Sequence, residues 1–158
     1  MSAALITAIF VGIAGLGYSA ILGFTSATSV DIFFHTSLGI FSTLLTLLAH
    51  SMTMFYLIGK GKAVREAVTE GQLSPELYAT VARVRRPVFS IATIAMALTM
   101  ATAIFGGGVD TGVIAPVVHS LLAVLALAAN VAALRTEVVA MLSSARVVQE
   151  VDQSLEGH

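Results

Sequence analysis

The chain of 158 residues has no cysteine and no tryptophan, three prolines, and little charge: eight Lys and Arg against nine Asp and Glu. Each shortage excludes a class. Without cysteine there is no disulfide framework, iron–sulfur cluster, thiolate zinc site, CxxCH haem attachment or cysteine nucleophile. Charged residues make up 11% of the chain, whereas a soluble globular domain carries about 25%. So few charges cannot cover the surface of a soluble domain, and the basic patch that a nucleic-acid binder needs is missing. What is abundant is apolar: 57% hydrophobic residues and a mean hydropathy of +0.94. The class that remains is a small, single-domain, multi-spanning membrane protein.

Four apolar stretches, residues 3–24, 32–59, 88–105 and 113–134, stand out. At about 1.5 Å per helical residue, each is long enough to cross a hydrocarbon core of about 30 Å. The N-terminal Met-Ser-Ala-Ala lacks a basic region and the first stretch exceeds a signal-peptide core, so it reads as a true span. The expected fold is an all-α integral membrane protein: a four-transmembrane-helix antiparallel bundle, one domain over 1–158, with helical cytoplasmic extensions of spans two, three and four. Lys60, Lys62, Arg65, Arg83, Arg85 and Arg86 fall in the 60–87 connection, and Arg135 and Arg146 in the 135–158 tail. The loops at 25–30 and 106–112 carry no basic residue. The positive-inside rule then places both termini and the 60–87 loop in the cytoplasm, with the protein in the cell inner membrane.

Local signals refine the ends. Residues 63–70 read as helix stopping at Gly71. Ser74-Pro75-Glu76 is a start signal with a Ser cap and Pro in the first turn. That helix meets Pro87, where a kink into span three is expected. Gly106-Gly107-Gly108 reads as the turn ending span three, since no strand precedes it and no Lys-Ser/Thr follows. Pro116 suits the first turn of span four. In the tail, Val138, Met141, Leu142, Ala145, Val148 and Val151 form a face for docking on the extension of span two, or on a partner helix.

In a bilayer, small and polar residues at helical steps mark helix contacts or a site. Span one has Ala8, Gly12, Gly15, Ser19 and Gly23; span two has His35, Gly39, Ser42, Thr46, His50 and Thr53; span four has His119, Ala123, Ala126, Asn130 and Ala133. Spans two and four each carry a histidine near the outer surface and a Gly or Ala four residues on. In an up-down bundle these spans are diagonal neighbours, so His35 and His119 can face each other at one depth.

Two facing imidazoles suit haem b held without covalent attachment, with His35 and His119 as axial iron ligands and Gly39 and Ala123 making room for the porphyrin. Ser120 or Thr36 could take the second imidazole proton. The arrangement resembles the diagonal bis-histidine sites of the membrane cytochromes b, and that resemblance implies electron transfer within the membrane. His50 lies 15 residues after His35, about 22 Å further along the axis. A second site there would need Met96 or Met100; otherwise His50 hydrogen-bonds Asn130 or a water, or serves a proton or quinone site. Tyr18 sits where a hydroxyl could reach His35 or bridge two helices. Asp31 and Asp110 read as a cap and a turn residue at the outer surface. The spans hold no Asp, Glu, Lys or Arg at mid-membrane, which argues against a proton-coupled carrier.

Two functions of different class follow. One is a small b-type cytochrome in the lipid bilayer, exchanging electrons with a quinone or a redox partner at the outer face. The other is a non-catalytic structural or assembly subunit, docking on other membrane subunits or on a second copy. Neither involves nucleic acid.

Overall fold

The computed structural model describes residues 1–156; His158 lies outside them. Four helices follow one another: α1 (Ser2–Thr25), α2 (Ser29–Glu70), α3 (Pro75–Asp110) and α4 (Pro116–Glu156). All four are long and apolar enough to cross a membrane. At 42 and 41 residues, α2 and α4 are each about 60 Å long, roughly twice the hydrocarbon thickness. Each therefore carries a span and its extension as one unbroken helix.

The helix ends have local causes. Thr28 caps α2: its hydroxyl accepts from the Asp31 amide at 3.2 Å, and the Asp31 carboxylate accepts from the Thr28 amide at 2.9 Å. Thr28→Ala is expected to cost about 1 kcal/mol of helix stability, read as faster amide exchange in the first turn of α2. At its other end α2 stops at Gly71, whose amide donates to the Ala67 carbonyl at 2.9 Å. The left-handed residue is Gln72 (φ +50°) rather than the glycine. Gly71 is needed for space, because a Cβ there would lie 2.6 Å from Leu155 of α4. Ser74 caps α3 at the Glu76 amide, with Pro75 as its first residue.

The helix runs through Pro87 as a single element. One expectation about α3 is corrected. Gly106-Gly107-Gly108 is not the turn: these glycines are helical, and α3 ends only at Asp110. The reversal falls on Thr111–Ala115, where Gly112 takes φ +73° and the carbonyls of Gly107 and Gly108 accept the amides of Thr111, Val113 and Ile114. A glycine run allows a close neighbour as readily as it allows a turn, and here the neighbour is the His119 ring.

Polarity is inverted relative to a soluble protein. Ser42, Thr46, His50, Thr53, Thr99, Asn130, Glu137 and Ser144 are buried, while Phe10, Phe33, Phe41, Leu44, Phe55, Ile104 and Leu121 face outward. Only a lipid solvent makes that distribution favourable, because it competes for apolar surface but not for hydrogen bonds. The small-residue stripe of α1 meets the polar stripe of α2. Gly12 lies against Thr46, Gly15 against Ser42, Ser19 against Gly39 and Gly23 against His35, so partner numbers fall along α2 as they rise along α1. α2 also touches α4, whereas among the described residues α1 and α3 do not meet.

At the end carrying the basic residues, Val64 and Val68 of α2, Val81 of α3 and Val147 and Val151 of α4 form an apolar cluster. The tail thus docks on α2, but with a corrected face. Its buried residues are Glu137, Ala140, Met141, Ser144, Val147 and Val151, while Leu142 and Ala145 are exposed. The inward stripe of α4 continues in phase from Asn130 and Ala133, and this phase outweighs the hydropathy of individual tail residues.

Candidate cofactor site and a buried polar chain

At the end of the bundle away from the basic residues, the four helices enclose a cavity of about 460 Å³. Leu16, Phe24, Ile32, Ile40 and Leu127 supply apolar walls, Gly23, Gly39, Gly106, Ala123 and Ala126 supply room, and His35 and His119 enter from α2 and α4. The two rings are 6.1 Å apart between centres, with an interplanar angle of 82°.

Hydrogen bonding fixes the tautomers. His35 Nδ1 lies 2.7 Å from the Ser19 carbonyl of α1, and His119 Nδ1 lies 3.0 Å from the Thr102 carbonyl of α3. A carbonyl only accepts, so both Nδ1 atoms carry the proton and both Nε2 atoms present a lone pair. Neither Nε2 has a hydrogen-bond partner among the described residues. Ser19 tightens the first ring further: its hydroxyl donates to the His35 carbonyl at 3.0 Å and lies 3.2 Å from Nδ1.

The two helix pairs therefore present their histidines in the same way. The accepting carbonyl precedes the histidine by 16 residues in one pair and by 17 in the other. Four residues after each acceptor stands a glycine, Gly23 or Gly106, which the ring covers. This Ser/Thr–Gly–His spacing was present in the sequence, and single-helix periodicity does not reveal it. Thr36 and Ser120 line the cavity without holding an imidazole proton, which corrects the expectation for them. A backbone carbonyl on the facing helix is fixed by that helix, and it wins over a hydroxyl on the histidine's own helix. Tyr18 faces outward at 58% exposure and reaches neither ring.

Metal–imidazole bonds are about 2.0 Å. With about 1.1 Å from nitrogen to ring centre on each side, a shared metal between two Nε2 atoms implies centres about 6 Å apart. The observed 6.1 Å has that scale. Among the described residues no group of three or more His, Asp or Glu side chains gathers to hold a metal ion. Any metal held by this pair would need further donors of its own.

Below the cavity lies a second polar group. His50 Nδ1 is 2.9 and 3.0 Å from the two Glu137 carboxyl oxygens, and its Nε2 is 2.9 Å from Asn130 Oδ1. Asn130 Nδ2 donates to Thr99 Oγ1 and to the Ala126 carbonyl, both at 2.7 Å. Thr99 in turn donates to the Ala95 carbonyl at 2.8 Å. His50, Asn130 and Glu137 are fully buried and Thr99 nearly so. The expected His50–Asn130 contact is present, but a metal site at His50 is not supported, since both ring nitrogens are engaged. Met96 accepts from Ser51, and Met100 is half exposed. Glu137 is the residue that the sequence did not disclose. Coming two residues after Arg135, it reads as tail, yet it turns inward and puts a carboxyl inside the bundle. Comparison with protein-family models, with curated proteins and with solved structures finds no match for the chain.

Proposed function

We propose that the protein is a b-type cytochrome of the cell inner membrane, holding haem b between His35 and His119 and passing electrons within the bilayer. One observation carries this: two imidazoles face each other across a cavity, each with Nδ1–H committed to a carbonyl of a neighbouring helix. Metal-bound histidines characteristically donate their second nitrogen in this way, which fixes the ring and raises its basicity. Haem iron would supply a one-electron centre there. The chain's own part would be to hold the iron through His35 and His119 and to surround the porphyrin with largely apolar walls. Gly39 and Ala123 leave room beside the ligands, as do Gly23 and Gly106. The rim offers Ser26 and Asp110 but no Lys or Arg, so the acidic edge of the porphyrin would be left to water.

In this proposal the helices form an antiparallel bundle with both termini and the 60–87 connection in the cytoplasm. The α1–α2 contacts and the one-sided basic residues support that topology. The cavity then lies toward the outer face, where a quinone or a redox partner exchanges electrons.

The test is an absorption spectrum of detergent-purified protein, expressed with ample haem, before and after dithionite. A sharpened α-band on reduction is expected, and His35→Ala and His119→Ala should each lose it at unchanged expression. A colourless wild-type protein overturns the proposal and leaves the structural or assembly subunit, tested by co-purification.

A further inference from the structure

The buried group beneath the cavity has a defined proton count. The Ala126 carbonyl can only accept, so the Asn130 atom facing it is the amide nitrogen. Asn130 Oδ1 therefore faces His50, and His50 Nε2 must donate to it. What remains is Nδ1 against a carboxyl group at 2.9 and 3.0 Å. That contact holds one proton, on the imidazole or on the carboxyl. Without it, two acceptors would face each other and a net negative charge would stand in a dry interior.

The same group reaches toward the cavity. Thr99 lines the cavity and accepts from Asn130, which accepts from His50. Toward the basic end, Thr53 of α2 and Ser144 of α4 have buried hydroxyls without a partner, and Thr46 has another on the cavity side of His50. Thr46 and Thr53 are four before and three after His50, on the same face of α2.

We propose that His50 and Glu137 share one proton that they hold more tightly when an electron enters the cavity above them and less tightly when that electron leaves. The inference rests on the haem reading. Were haem held in the cavity and reduced by a quinol, or by dithionite in the test, one electron would enter there and the pair would draw a fraction of a proton from solvent. Oxidation reverses both. The positive charge gained in the cavity on oxidation then favours the unprotonated, negative pair.

Asn130 is 11 residues from His119, about 16 Å along the axis. At an effective dielectric of about 20, one charge at that distance changes the pair's proton affinity about fivefold. Other charges near the pair are few. The only ionisable side chain of α1 is Tyr18, which faces outward. On α2 the nearest are Tyr56 and Lys60, which lie against each other. On α3 Arg85 lies against the Leu57 carbonyl, and on α4 Arg135 is exposed.

The experiment is a redox titration of the pigmented protein across pH, with proton uptake on reduction followed by an indicator dye in unbuffered detergent. In the wild type the oxidised form should gain up to about fivefold over the reduced form as pH rises, with protons taken up on reduction. Glu137→Gln and His50→Gln should abolish both effects while keeping the α-band. A pigmented wild type with no pH dependence or proton uptake overturns the inference alone. A dependence that persists in Glu137→Gln also overturns it and assigns the proton elsewhere, with Asp110 at the rim the next group to replace. A colourless protein overturns the haem reading first and this inference with it.

Discussion

His50→Leu is expected to destabilise the bundle by about 3–5 kcal/mol, and Glu137→Leu by a smaller amount, about 1–3 kcal/mol. The asymmetry follows from what each substitution leaves behind. Without His50, a carboxyl group is stranded at zero exposure and must either stay charged or hold its proton against nothing. Without Glu137, the imidazole keeps its bond to Asn130, so a single ring nitrogen is left unsatisfied. The double variant should cost clearly less than the sum, because two apolar side chains of similar volume leave neither partner stranded, only the Asn130 carbonyl oxygen. Reversible unfolding in mixed detergent and denaturant, run as a double-mutant cycle, measures all three. Equal and additive losses would mean that the two side chains do not meet.

The legible and illegible parts of the molecule divide along one physical line. Hydropathy and local start signals are one-dimensional, and they were enough for the four helices, for the Ser74 start, and for the inward stripes of α1, α2 and α4; the cap of α2, expected at Asp31, is Thr28, with Asp31 in the first turn. Contacts between helices are not local, and the pattern within one helix reveals less of them. Gly106–Gly108 looked like a turn because glycine is enriched in turns; the reason for Gly106 is a ring from another helix, visible only after assembly. Thr36 and Ser120 looked like imidazole partners because they are adjacent to the histidines in sequence, whereas the carbonyls of Ser19 and Thr102 are adjacent in space. Glu137 was misplaced by its neighbourhood: following Arg135, it resembles the start of a solvated tail. Its phase offered a clue, since it stands seven residues from Asn130 and 18 from His119 on α4. Both are near-integral numbers of turns at about 3.6 residues each.

Gly23→Ala should weaken cofactor retention more than Gly106→Ala, although neither glycine can ligate anything. A Cβ on Gly23 would lie 2.8 Å from His35 Cε1 and 3.0 Å from Nδ1, closer than unstrained contacts allow, so the ring must move. Moving it stretches the 2.7 Å bond to the Ser19 carbonyl that orients the ring. On Gly106 the nearest ring atom would be 3.1 Å away, which a small shift relieves. Disturbing the groups that orient a metal-bound histidine typically costs about 10–100-fold in affinity, and Gly23→Ala should fall in that range. Valine at either position should remove the pigment. Gly17 supplies the control on the same helix as Gly23, since a Cβ there meets nothing within 4 Å. Gly17→Ala should keep full pigment and gain up to about 1 kcal/mol in stability from helix propensity alone. Haem content per protein, measured across the series in one detergent, should rank wild type and Gly17→Ala first, then Gly106→Ala, then Gly23→Ala. A flat series would mean that the cofactor does not depend on where these rings stand. The reverse order would place its tighter ligand on α4 with the α1 contact irrelevant, against the geometry that ties His35 to both Ser19 and Gly23.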